Sequence, residues 1–335
     1  MSRRASGHLF STTLLALACA SIVWSAQAPA GGAAPRTPWG HPDLQGIWGA
    51  GYLLTPVERP ERFAGKEFLT DDEVSALERE QAENPGRNRR AEKGSVADVE
   101  GAYNDAFTGR GYKVVRTKRT SLVVDPPDGK IPFTPEGLKR RPVRVVDPEA
   151  GPGGIADDPE QRKNDRCSGI TMPVDYGSAA VSGGFTRLVQ APDSILVYYE
   201  HGHHGGAYRR IPLSGGPHLP ASVRQWLGDA RGRWDGDTLV VDTTNFTDKT
   251  NYQGSKDGLH LVEHFTRTSG DELMYRVTIE DPATFTKPWT IEVPYSKADE
   301  KKNQVFESSC HEGNYALTSI LAGARANDRD GKRAR

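Results

Sequence analysis

The densest run of ionisable side chains in this sequence is Glu200-His201-Gly202-His203-His204-Gly205-Gly206. It stands where an alternating apolar stretch, 194–201, enters a glycine-rich loop. Alternate residues of an extended chain share a side, so His201 and His203 point together. A His-x-His pair can hold zinc, copper or iron once further ligands arrive from elsewhere. His260 is the candidate third ligand, with His264 beside it on one face of a second alternating stretch. Glycines stand where a metal-binding barrel motif would place a glutamate after the pair. That weighs towards a solvated loop and a protein without a cofactor, with zinc, copper or iron as the alternative. The second chemistry these residue types allow is acid–base work without metal. A histidine or carboxylate near its working pKa, over a mostly apolar pocket, can take and return protons. The candidate catalytic groups are Glu200, His203, His204 and His260. The candidate substrate contacts are Tyr198, Arg209, Glu263, Asn251, Tyr252 and His311. His260 and Glu263 fall on opposite sides of an ideal strand, so they share one lumen only across a bulge.

The elements that position these residues are short strands. Glycine and proline are abundant (36 and 23), which favours strands joined by turns over long helices. Alternation predicts strands at 185–190, 194–201, 207–213, 237–245, 258–268, 272–280, 288–296 and 303–310. Turn signals separate them: Ala191-Pro192-Asp193, Gly215-Gly216-Pro217, Asp235-Gly236-Asp237 and Ser269-Gly270-Asp271. Sequential strands with short turns build an antiparallel meander. About eight of them suit an up-and-down, lipocalin-like barrel or a curled sheet. The N-terminal segment 31–110 reads as an extended wrap with one helix, opened by a Thr70-to-Glu73 capping box. The barrel-like domain runs over 111–325 with short peripheral helices, at Thr134–Leu138, Pro220–Leu227 and Tyr315–Arg325. A frayed tail, 326–335, ends the chain. Arg233-Trp234-Asp235-Gly236-Asp237 reads as a hairpin turn.

The first 30 residues read as a signal peptide. Arg3 and Arg4 precede an apolar stretch from Leu14 to Trp24, and small residues and proline follow. The stretch is too short to span a bilayer comfortably. Cleavage after Ala30 is favoured over cleavage after Ala28, where Pro29 would follow the cut. The expected location is periplasmic or secreted, with a lipoprotein modified at Cys19 as the minor alternative. Removing the segment leaves 41 basic against 44 acidic side chains, so no basic excess attracts nucleic acid. Cys167 and Cys310 then remain, and two cysteines in an oxidising compartment most often pair. Such a bridge would close a loop worth up to roughly 4–5 kcal/mol in the chain-entropy model. Cys310-His311-Glu312-Gly313-Asn314 then reads as a disulfide anchor, a glycine turn and a helix cap. There is no Gly-x-Ser-x-Gly, phosphate-binding loop, dinucleotide fingerprint or His-Glu-x-x-His.

Four stretches carry a resemblance. They are Thr37-Pro38-Trp39-Gly40-His41-Pro42-Asp43-Leu44-Gln45-Gly46-Ile47-Trp48, Arg119 to Gly129, Gly232 to Phe246, and Cys310 to Tyr315. Together they resemble a family of secreted bacterial proteins, usually labelled hypothetical, with no established activity. The resemblance covers nearly all of the mature chain and implies export, but no chemistry. The chain departs from the family pattern after Glu200, where the stretch before Arg209-Arg210-Ile211-Pro212 is longer. The expectation is an exported barrel whose pocket takes a small organic molecule. The histidine-dense strand end leans it towards a cofactor-independent lyase, isomerase or hydrolase. A non-catalytic binding barrel and a histidine-ligated metalloprotein are the alternatives. No oligomeric state is implied.

Overall fold

The computed structural model describes residues 34–49, 54–83, 92–93, 95, 113–141, 171–173, 185–200, 207–302, 305 and 315–331. Ten strands form one sheet: β1 (Gly46–Gly49), β2 (Val123–Asp125), β3 (Thr186–Gln190), β4 (Ser194–Tyr199), β5 (Ala207–Pro212), β6 (Asp229–Asp235), β7 (Thr238–Thr244), β8 (His260–Arg267), β9 (Glu272–Glu280) and β10 (Trp289–Lys297). Alternation decides which side chains face inward. Leu261, Glu263, Phe265 and Arg267 of β8 are buried, and so are Leu273, Tyr275, Val277 and Ile279 of β9. Trp289, Ile291, Val293 and Tyr295 of β10 continue this inner wall. The chain is a mainly β protein built on an antiparallel, lipocalin-like barrel.

The spatial order is β5-β4-β3-β1-β10-β9-β8-β7-β6. Every neighbouring pair is antiparallel. Direction alternates along nine strands, so the two edge strands, β5 and β6, must run the same way. They come together without a ladder, and side chains close the seam. A Cβ at Gly232 of β6 would lie 2.7 Å from Leu213 Cδ2 and 2.8 Å from Ile211 Cγ2. Glycine there lets the β5 side chains lie flat over β6. The connection 213–228 makes the parallel arrangement possible by returning the chain from the end of β5 to the start of β6.

One end of the barrel is closed. Trp48 donates from Nε1 to Leu44 O at 2.9 Å, and the Arg267 guanidinium lies 5.3 Å from its ring centre. Arg267 in turn donates to the carbonyls of Asp43, Gly270 and Ser269. The other end carries the longer connections, 245–259 and 281–288. Helix α1 (Asp71–Glu83) belongs to the N-terminal segment, and helix α2 (Pro135–Arg140) packs on this second end. The close approach needs Gly137, where a Cβ would stand 2.1 Å from Thr284 O. Phe285 and Tyr252 pack on Trp289 there, with ring centres 5.4 and 6.3 Å away.

Several expectations change in detail. The Thr70 box forms, with Thr70 N donating to Glu73 Oε2 at 2.8 Å and Glu73 N to Thr70 Oγ1 at 3.3 Å. The N-terminal segment does more than wrap, because β1 is a barrel strand between β3 and β10. The stretch 113–125 contributes one strand to the sheet, β2, which pairs with β10. No helix forms at 220–227. Its backbone bonds go outward instead, Gln225 N to Asn245 O at 2.9 Å and Thr247 N to Gln225 O at 3.0 Å. Arg233, Trp234 and Asp235 lie inside β6, and the turn is Gly236-Asp237, with Gly236 at φ +55°. Helix α3 (Ala316–Arg329) runs past the expected end at Arg325. The strand expected at 303–310 and the Cys167–Cys310 pair lie outside the described residues. Among the described residues, no helix is long and apolar enough to cross a membrane.

Candidate functional site

The lumen holds a polar cluster assembled from five strands. Arg209 starts on β5 and reaches past β6 to β7 and β8. Its Nη1 donates to Glu263 Oε1 on β8 at 2.9 Å, and its Nη2 donates to Thr243 Oγ1 on β7 at 2.8 Å. A second, short contact joins Nη2 to Glu263 Oε2. Tyr275 OH on β9 donates to Oε1 at 3.1 Å and Thr243 Oγ1 to Oε2 at 3.2 Å. Tyr199 OH on β4 accepts from Arg209 Nη1 at 3.4 Å. Arg209 is 3 % exposed and Glu263 0 %.

Such a pair is tolerable in a core only because each charge finds the other and the remaining lone pairs are filled. Burial alone would lower the Arg209 pKa. The Glu263 carboxylate reverses this and holds the guanidinium above its ordinary value. Burial pushes the Tyr199 phenol up to about 12, against the opposing pull of Arg209. Burial, then Glu263, raises Tyr275 as well. Both phenols are therefore neutral at ordinary pH, Tyr275 as a donor and Tyr199 as an acceptor. A carboxylate offers about four lone-pair sites. Four donors already fill those of Glu263, so this carboxylate is a structural anion and has no free lone pair to receive a substrate proton.

Three inward-facing N–H groups are buried without a hydrogen-bond partner: Arg209 Nε, Trp289 Nε1 and Trp234 Nε1. A buried donor left unpaired is unfavourable by roughly 1–3 kcal/mol.

A second polar cluster lies on the outer face. His260 Nε2 stands 3.0 Å from Asp242 Oδ2, and His260 Nδ1 stands 3.2 Å from Glu280 Oε2. His218, from the 213–228 connection, places Nε2 2.8 Å from Asp242 Oδ1 and Nδ1 3.0 Å from Asp229 Oδ2. Arg231 Nη1 donates to Asp229 Oδ1 at 2.7 Å. Burial draws the His260 pKa down, but hydrogen bonds from Asp242 and Glu280 outweigh it and the net shift is upward. His264, further along the same face, is lowered by burial and then by Arg276 and Arg233.

The residues singled out from sequence thus divide. Arg209 and Glu263 meet in the lumen. His260 lies on the outer face, on the other side of β8 from Glu263, as the period of two requires. Both its ring nitrogens face carboxylates, so it has no lone pair turned towards a metal. Tyr198 also faces outward, 4.8 Å from Tyr208. Glu200 accepts from Phe185 N at 3.3 Å. Asn251 accepts from Gly254 N at 2.7 Å and shapes the loop that carries Tyr252 onto Trp289. His201, His203, His204 and His311 lie outside the described residues. Among the described residues, no three His, Cys, Asp or Glu side chains are placed to share a metal ion. Sequence reasoning did not find Tyr199, Thr243, Tyr275 or Trp289 as site residues. Each sits at an inward position of its strand, and that parity was the available signal. Nothing in the sequence marked His218, whose partners are Asp229 at the start of β6 and Asp242 on β7.

A cleft of about 130 Å³ lies outside the barrel, lined by Leu54, Phe63, Leu69, Leu77 and Val114 with Arg62 and Glu80 among its polar groups. It contains none of the unpartnered buried donors, so the lumen is the stronger candidate.

No family model matches the chain, and no curated protein matches it in sequence. Among solved structures, a secretary abundant heat soluble (SAHS) protein from Ramazzottius varieornatus aligns over 36% of this chain and 75% of its own, at 11% identity and a TM-score of 0.25. A point mutant of the fluorescent protein UnaG aligns over 41% of this chain and 87% of its own, at 16% identity and a TM-score of 0.25.

Proposed function

We propose that the protein is an exported barrel that binds a small organic molecule and does not transform it. The observation that carries this reading is the pairing state of the lumen. Arg209 Nε and Trp289 Nε1 point inward without acceptors, while every lone-pair site of Glu263 is taken. Among the described residues, an interior of this kind offers hydrogen bonds to oxygen atoms, and its buried carboxylate has no lone pair left for a proton. The Arg209 charge is already neutralised by Glu263, so a second carboxylate would be buried uncompensated, which is strongly unfavourable. The ligand class that fits is therefore neutral and largely apolar, with a carbonyl or ether oxygen, such as an aromatic or terpenoid ketone or lactone.

The test uses mature, untagged protein purified from the periplasm. Native mass spectrometry looks for a retained compound, and a titration with the neutral dye Nile red follows tryptophan fluorescence. One equivalent bound, with quenching of tryptophan emission, is the expected result. Trp289→Phe should weaken binding roughly two- to tenfold, the equivalent of one hydrogen bond. A protein that carries no compound and binds the dye without saturation would sink the proposal.

A further inference from the structure

The 213–228 connection lies across the outer face and joins two edges that share no ladder. Leu219 N donates to Asp229 Oδ2 at 2.9 Å and Arg231 Nε to Pro217 O at 3.0 Å, and histidine adds to this attachment. Each of His218 and His260 has both ring nitrogens opposite carboxylate oxygens, at 2.8–3.2 Å. A neutral imidazole carries one N–H and one lone pair. In that form each ring can satisfy only one of its two carboxylates and turns a lone pair against the other. The doubly protonated ring satisfies both.

The charges agree with this reading. Facing the cluster are Asp229 and Arg231 from β6, Asp242 from β7, Glu280 from β9, and His260 from β8. With His218 from the connection, three carboxylates oppose one guanidinium and two imidazoles. The set is neutral when both histidines are protonated and carries two negative charges when neither is.

The connection also reaches the longer-looped end of the barrel. Asn245 Nδ2 donates to Leu219 O at 2.9 Å, and Gln225 exchanges backbone hydrogen bonds with Asn245 and Thr247. The segment fastened by His218 is thus the segment that holds the start of the 245–259 loop, whose Tyr252 lies against Trp289.

We propose that the 213–228 connection is a pH-operated fastener, closed while His218 and His260 are protonated and released when they lose their protons, and that its release loosens the loop that begins at Asn245. The fastener stands on its own geometry and does not require the barrel to bind a ligand.

Hydrogen exchange followed by mass spectrometry tests it on the intact protein. Exchange is compared at about pH 5.5 and about pH 8.5, either side of the ordinary imidazole range, after correction for the intrinsic pH dependence of exchange. Peptides covering 213–228 and 245–252 should lose protection on the order of tenfold at the higher pH, as expected for local opening of that segment. Peptides from β8 and β9 should not. His218→Gln should abolish the difference, and His264→Gln should leave it intact. Histidine Cε1–H resonances of the unmodified protein give a second readout independent of any variant. Two of them should titrate with the midpoint of the exchange change. Equal protection at both pH values, a difference that survives His218→Gln, or no resonance titrating with that midpoint would overturn the proposal.

Discussion

Removing one half of the Arg209–Glu263 pair should be far more damaging than removing both halves. In Arg209→Met, the Glu263 carboxylate stays at 0 % exposure with only Tyr275 and Thr243 to donate to it. Loss of one member of a buried pair is destabilising by about 3–5 kcal/mol. For a chain of this size, about 2–4 °C of melting temperature corresponds to each kcal/mol, so the expected fall is roughly 6–20 °C. Glu263→Leu should behave similarly, because it strands the guanidinium. The double variant Arg209→Met/Glu263→Leu removes both charges and restores apolar volume, and should recover most of the loss. Chemical denaturation of the four proteins closes the cycle. The coupling energy should favour the intact pair by several kcal/mol, above the 0.5–3 kcal/mol seen for ordinary neighbouring residues. If each single change is worth less than about 1 kcal/mol, or if the double change equals their sum, the pair does not act as the clasp of the seam.

Gly232→Val should destabilise by about 1–3 kcal/mol through overpacking, because Ile211 and Leu213 occupy the space of the new side chain. A lowered denaturation midpoint at unchanged slope would show it. The pKa of His260 is raised in the folded protein, so its stabilisation is complete below the unfolded value near 6.5. It should be lost as pH rises through the higher folded value. The group is partly exposed, which limits the effect to about 1 kcal/mol or less, and unfolding curves across that interval should flatten in His260→Gln. Thr70→Ala removes the helix cap and should cost about 1 kcal/mol, read as a small fall in melting temperature.

Most of the strands were legible because their burial is one-sided. Leu273, Tyr275, Val277 and Ile279 announce β9 without help from any neighbour. β6 was not legible because its inward residues include Ala230 and Gly232, too small to mark a hydrophobic face. At Gly232 the space of a side chain is filled by Ile211 and Leu213 from across the seam, so the packing that closes the barrel is what hid the strand. The helix expected at 220–227 failed for a related reason. Its backbone groups found partners in the 245–247 segment, which no local pattern records. Arg209 and Glu263 were visible as candidates, yet their meeting depends on β5 and β6 forming a seam, a fact of topology. The opposite facing of His260 and Glu263 needed only the period of a strand.

Read as a closed ring, the sheet has a simple grammar. Apart from β2, the strands follow one another around the barrel in the order of the chain, with β10 leading back to β1. The first and last strands of the ring therefore meet at a junction sealed by backbone hydrogen bonds, and the unsealed junction falls mid-chain, between β5 and β6. A circular permutant begun at β6 and ended at β5 would trace the same ring as an uninterrupted meander, with its new termini at the one place where no ladder is broken. The chain has, in effect, put a covalent link where hydrogen bonding is missing, and hydrogen bonding between the two strands of the ring that lie farthest apart in sequence.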